Sequence, residues 1–246
     1  MTRETAESSL DPYENYFSTT YSHRNDVTPE SVQRSALAYR RQLGRYLPKD
    51  RDEPLLEIGC GVGGFLLCCR QLGYSQVYGI DTSPEQVARC RDMGFENVEV
   101  ADALGYLQRT EHQFGAIVLI DVLEHLPRQH ILPMLGAAHQ KLRVERHFVV
   151  RVPNLSNPLN LRTRYVDFTH ESGFSQESIA QVLRIAGFDI VTVEGLFLPH
   201  RRWLARLVFD RILWQAFRVT YRHTLHLKNE PLRGKNLLAV GAKPRA

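Results

Sequence analysis

The chain has 246 residues, 43% hydrophobic and 24% charged, the balance of a globular protein built as one large domain. No window reaches the about 18 unbroken apolar residues of a membrane span, and the first residues lack the apolar core of a secretory leader, so a cytoplasmic location is expected. The net charge of +4 hides an asymmetry: residues 196–246 hold 11 Lys or Arg against 2 Asp or Glu, a local +9, while residues 1–195 hold 20 against 25. A basic tail on an acidic body suits an anionic partner. The four cysteines, Cys60, Cys68, Cys69 and Cys90, form no C-x-x-C pair and read as reduced thiols rather than a disulfide frame or a zinc site.

Residues 1–28 are polar with scattered aromatics, Tyr13, Tyr16, Phe17 and Tyr21, and read as a lid or a tether. With the helix that follows they make an N-terminal extension over 1–50. Thr28 as N-cap, Pro29 at the first position and Glu30 in the first turn open that helix, which should stop before Pro48. The main domain is expected over 51–246. Its first strand, 55–58, runs into Gly59-Cys60-Gly61-Val62-Gly63-Gly64, a turn whose glycines let a ligand approach the backbone and whose helix start offers N–H groups. The next strand, 77–81, ends in Asp81, and Ser83, Pro84 and Gln86 form a capping box for the following helix. Further strands are expected over 98–102, 116–121 and 147–152, with a helix through Met134 between the last two. Then come an irregular segment over 153–173, a helix capped by Ser175, a strand over 189–194 and a last strand over 236–241. Residues 196–228 form a basic amphipathic insertion between these two strands.

Strands alternating with helices predict a parallel sheet with right-handed crossovers, and ligands in such sheets sit beyond the carboxyl ends of the strands. Glu57, Asp81, Asp102 and Asp121 all fall at those ends. Four acids on one rim are the strongest constellation in the chain. The Gly59/Gly61/Gly64 spacing also satisfies the dinucleotide fingerprint, with Asp81 placed to hold a ribose, so a nicotinamide-dependent oxidoreductase is one alternative.

Glu57-Ile58-Gly59-Cys60-Gly61-Val62-Gly63, Gly79-Ile80-Asp81, Ala101-Asp102-Ala103, Asp121-Val122-Leu123-Glu124-His125-Leu126 and Ala186-Gly187-Phe188 together resemble class I S-adenosylmethionine-dependent methyltransferases. The resemblance spans roughly residues 55–193. It implies a Rossmann-like α/β fold with a seven-stranded, mostly parallel sheet, an antiparallel last strand and helices on both faces. It also implies S-adenosyl-L-methionine as cofactor, and a non-catalytic S-adenosylmethionine-binding protein is another alternative. The turn at Gly59, Cys60 and Gly61 would lie under the methionine part, and Glu57 would orient the turn or reach the amino group. Asp81, with Thr82 beside it, would accept the ribose hydroxyls. Asp102 and Ala103 would take the adenine, and Asp121 would line the sulfonium end.

A hydroxyl acceptor needs a base, and His suits neutral pH. His125, with Glu124 to orient it, and His170 in the irregular segment are the candidate catalytic residues. Asp121, Glu124 and His125 resemble the Glu-x-x-Glu-His motif of ubiquinone-biosynthesis and small-RNA 3′-terminal O-methyltransferases. Asp121 replaces the first Glu and shortens its reach, so no metal is expected. The 152–175 segment resembles bacterial methyltransferases of surface-glycan biosynthesis, which implies a sugar or other small-molecule hydroxyl as acceptor. In the insertion, Trp203, Leu207, Trp214, Phe217 and Tyr221 share a helical face with arginines between 201 and 222. That pattern suits contact with the inner face of a membrane, or a helix packed on the sheet or in a homodimer interface with its arginines solvated. No nucleic-acid partner is expected, because the sequence holds no recognition module.

Overall fold

A computed structural model describes residues 17–24, 26–196, 211–220 and 234–245. Its strands are β1 (Leu55–Ile58), β2 (Val77–Asp81), β3 (Val98–Val100), β4 (Phe114–Ile120), β5 (Leu142–Pro153), β6 (Asp189–Leu196) and β7 (Asn236–Ala242). They form one sheet in the order β3-β2-β1-β4-β5-β7-β6, in which only β7 runs against its neighbours.

The helices are α1 (Ser22–Arg24), α2 (Pro29–Leu43), α3 (Gly64–Gln71), α4 (Pro84–Asp92), α5 (Ala103–Arg109), α6 (Arg128–Lys141) and α7 (Gln176–Ile185). Every residue of β4 is buried, as expected for a parallel strand covered on both faces. Its alternation divides the core. Phe114, Ile117 and Leu119 pack with Leu107 of α5, Leu135 of α6 and Leu183 of α7. Ala116, Val118 and Ile120 pack with Leu43 of α2 and with Phe65 and Cys69 of α3. All four cysteines are buried free thiols.

Thr28 caps α2 as its sequence demands, accepting from Ser31 N–H. Ser175 and Ser178 cap α7 reciprocally. Two expectations change. Strand β3 ends at Val100, and Asp102 instead caps α5, a helix the apolar pattern did not reveal. Gln86 also does not complete the box at α4. The Ser83 N–H goes to Asp81 Oδ1 at 2.9 Å, which leaves Gln86 Oε1 buried without a partner. A carboxylate fixed at the end of β2 outcompetes a neutral amide for that donor.

Candidate active site

The carboxyl ends of β1, β2, β4 and β5 open onto one cleft of about 870 Å³, within the usual range for a small-molecule site. Glu57, Gly59, Cys60, Gly61, Asp81, Thr82, Asp102, Ala103, Asp121, Glu124, His125 and His170 all line it. The sequence-predicted residues are therefore brought together, though not always by the contacts expected.

The floor is the glycine turn. Gly59 and Gly61 have φ of 72° and 52°, the left-handed region where a side chain is strained. A Cβ on Gly59 would lie 2.2 Å from Val122 Cγ2, so the turn and the chain leaving β4 are in close approach. Gly59→Ala should cost about 2–4 kcal/mol, combining left-handed strain with overpacking. Thermal unfolding would measure this, and Val122→Ala in the same chain should recover part of the loss. A full-stability Gly59→Ala protein would contradict the close approach.

Four N–H groups of this turn are engaged within the protein. Gly59 and Cys60 donate to Ile80 O, Gly63 donates to Cys60 O and Gly61 donates to Asp81 Oδ2 at 2.9 Å. The turn thus offers a close backbone surface, with these four donors already spent within the protein. Asp81 takes one N–H on each oxygen, from Gly61 and Ser83. Burial raises its pKa and these N–H groups pull it back. Glu57 is buried and accepts from Leu66 N–H at the start of α3, while its Oε2 has no partner. Burial first, then Cys90 and Asp81, push its pKa well up.

At the other end, Asp121 sits at φ 56° and turns to Arg151, whose Nε and Nη2 lie 3.0 and 2.5 Å from its two oxygens. Burial opposes the Arg151 charge, but Asp121 and Tyr39 together raise its pKa. The Arg151 guanidinium also lies 5.3 Å from the Tyr39 ring centroid. Asp121 therefore does not join Glu124 and His125 on one helical face. Its left-handed backbone and a 3-10 turn, Leu123–His125, separate them.

The expectation that Glu124 orients His125 also fails. Glu124 is buried and neither of its carboxylate oxygens meets another residue's donor. Burial first, then Asp121, push its pKa well up. His125 Nδ1 instead lies 2.8 Å from Thr169 Oγ1, and that hydroxyl donates to Asp167 Oδ1 at 2.6 Å. Thr169 must then accept, so Nδ1 carries the hydrogen and the His125 lone pair falls on Nε2. Burial, and then His170, lower the His125 pKa to about 4, so the ring is neutral at pH 7. His170 stands T-shaped to it with ring centroids 4.7 Å apart, and its Nδ1 donates to Thr163 O at 2.8 Å. Glu124, His125 and His170 each bring a donor atom within 4.8 Å of the others.

A methyltransferase-domain family model matches residues 31–193. The chain belongs to that family. It is a class I S-adenosylmethionine-dependent methyltransferase, which decides against the nicotinamide alternative. No curated protein matches the sequence. Among solved structures, an S-adenosylmethionine-dependent methyltransferase from Archaeoglobus fulgidus is 20% identical with a TM-score of 0.69, covering 93% of this chain and 99% of that one. The N-methyltransferase NodS of Bradyrhizobium japonicum is 18% identical with a TM-score of 0.56, covering 86% and 98%. The [4+2]-cyclase SpnF is 19% identical with a TM-score of 0.57, covering 90% and 86%. At these identities the likeness is one of fold.

The cleft of this methyltransferase fits its cofactor. Glu57 Oε2 and Gln86 Oε1 are buried acceptors without partners, suited to an ammonium or hydroxyl donor. Asp81, held by N–H groups of Ser83, Gly61 and Thr82, still presents carboxylate lone pairs suited to hydroxyl donors. Sequence reading passed over Arg151 and the Thr169–Asp167 pair. An arginine inside the apolar run of β5 was the available signal for the first. Nothing local marked the second, because the pair meets His125 only through the fold.

Proposed function

We propose that this methyltransferase transfers its methyl group to a hydroxyl oxygen of a sugar or similar small molecule, with His125 as the general base. The observation that supports this most is the Asp167–Thr169–His125 chain of hydrogen bonds. It holds the ring in one tautomer with its basic nitrogen defined, as a base acting on a hydroxyl requires. When bound, S-adenosylmethionine supplies an already activated methyl group. The chain then has to position the acceptor in line and take its proton. His170 packs on the same ring and would help fix the acceptor. Glu124, whose pKa burial pushes well up, faces the same space with neither oxygen engaged by another residue.

One further arrangement follows from the same three groups. Two imidazoles and a carboxylate within 4.8 Å of one another could hold a divalent cation, in which case His125 would be a ligand and not a base. Transfer of tritiated methyl from S-adenosylmethionine to a panel of monosaccharides and nucleotide sugars, with and without EDTA, tests the assignment. The expected result is transfer to a hydroxyl that EDTA leaves unchanged. Transfer only to amines, as in the N-methyltransferase NodS, or loss in EDTA, would contradict it.

A further inference from the structure

The segment that carries the Asp167–Thr169 pair is inverted relative to an ordinary surface loop. Its polar residues Asp167 and Thr169 are buried, while Phe168 is 93% exposed, Tyr165 82% and Leu161 51%, with Arg162 exposed among them. A second element shows the same habit. In the helix over 211–220, Ile212 is 62% exposed and Val219 57%, next to exposed Arg211 and half-buried Arg218. Single exposed apolar residues need no explanation, but a cluster of them beside arginine in each of two segments does.

The first segment and the connection that holds the second leave the sheet at one place, since Pro153 and Leu196 both pair with Asn236. Residues 154–160 follow β5, and the 211–220 helix lies between β6 and β7. Asn154 and Asn157 both donate to Gly234 O at 3.2 Å, and Asn160 donates to Lys235 O at 2.6 Å. A Cβ on Gly234 would meet Leu196 O at 2.5 Å, so the end of β6 closes against the same point. The cleft opens beside that junction, since Asp167, His170, Lys235 and Asn236 line it.

We propose that these two segments dock on an anionic lipid bilayer, with Leu161, Tyr165, Phe168, Ile212 and Val219 entering the interface and Arg162, Arg211 and Arg218 meeting lipid phosphates. Amphipathic elements with aromatic and aliphatic residues beside arginines bind in this way, and each basic residue near an anionic surface adds to the attraction. The +9 over residues 196–246 supplies the long-range attraction. That charge argues against a second copy as occupant, because an isologous contact would set two like-charged patches together. The bilayer would face the mouth of the cleft, so acceptors carried on lipids would reach His125 from that side. This last step rests on the proposed function, whereas the docking itself does not.

Flotation of the full chain with vesicles of phosphatidylcholine alone or with added phosphatidylglycerol tests the docking. The chain should float with the anionic vesicles, lose most binding at high salt, and stay down with the neutral ones. Tyr165→Ser with Phe168→Ser, and separately Arg211→Glu with Arg218→Glu, should each weaken flotation at least about tenfold, or about 1.4 kcal/mol. Both variants should keep wild-type S-adenosylhomocysteine affinity and melting temperature, which shows that they fold. No flotation, equal flotation on neutral vesicles, or a solution dimer that the same variants dissociate would overturn the proposal. Methyl transfer is not read, so failure of the acceptor assignment leaves this result standing.

Discussion

Asp81→Ala should lose S-adenosylhomocysteine binding by about 10²–10⁴-fold while the sheet stays folded. Two effects combine. The carboxylate would accept both ribose hydroxyls, and hydrogen bonds to a charged group contribute about 1.5–3 kcal/mol each. It also holds Gly61 N–H and Ser83 N–H, so its removal releases the glycine turn and the start of α4 together. Asp81→Asn separates the two. It keeps one acceptor oxygen but turns an amide NH₂ toward one of the N–H donors, so it should bind at a level between wild type and Ala. Calorimetric titration gives the affinities and thermal unfolding gives the control. A wild-type affinity for Asp81→Ala would remove the ribose assignment.

His125→Ala should lower turnover by about 10²–10⁴-fold, the usual contribution of a general base, with S-adenosylhomocysteine affinity unchanged. Thr169→Val removes the oxygen that Nδ1 meets, so it should lower turnover by less, and Thr169→Ser should restore it. His170→Ala should also spare binding and lower turnover. The pH dependence carries a signature. With a folded pKa of about 4, His125 stays a competent base well below pH 6.5, so the acid limb of kcat/KM should not show an ordinary histidine. The same shift acts on stability. As pH falls below about 6.5, the unfolded chain takes up this proton first and the folded chain resists until about 4. Stability is therefore full above that window and declines through it, by at most about 1.4 kcal/mol per pH unit. Nitrogen-15 histidine spectra should show the Nδ1–H tautomer at pH 7. An Nε2–H tautomer would contradict the Thr169 relay.

Much of the fold was legible because its signals are local and periodic. Continuous apolar runs ending in acids gave β1, β2 and β4, and Thr28-Pro29 and Ser175 marked helix starts without help from the rest of the chain. That Glu57, Asp81 and Asp121 share one cleft was legible for the same reason, since each stands at the end of a strand, whereas Asp102 joins them as the cap of α5. What was not legible depends on distance in sequence. Thr169 meets His125 across 44 residues and Arg151 meets Asp121 across 30, and no periodicity links such pairs. Gln86 failed for a different reason. The box motif was present, but a charged acceptor two residues from Ser83 took the donor. Of the insertion, Trp203, Leu207 and Tyr221 lie outside the described residues, as do Tyr13 and Tyr16. Trp214 and Phe217 lie near one another, with ring centroids 5.1 Å apart and planes tilted by 40°.

The account stands on a cleft in which Glu57, Asp81 and the glycine turn hold S-adenosylmethionine. Calorimetric titration of the full chain with S-adenosylhomocysteine, repeated after Asp81→Ala and repeated with NAD, tests that most directly. One saturable site per chain, abolished by Asp81→Ala and absent for NAD, is the predicted result. No binding to the wild-type chain, or binding that Asp81→Ala leaves intact, would contradict it.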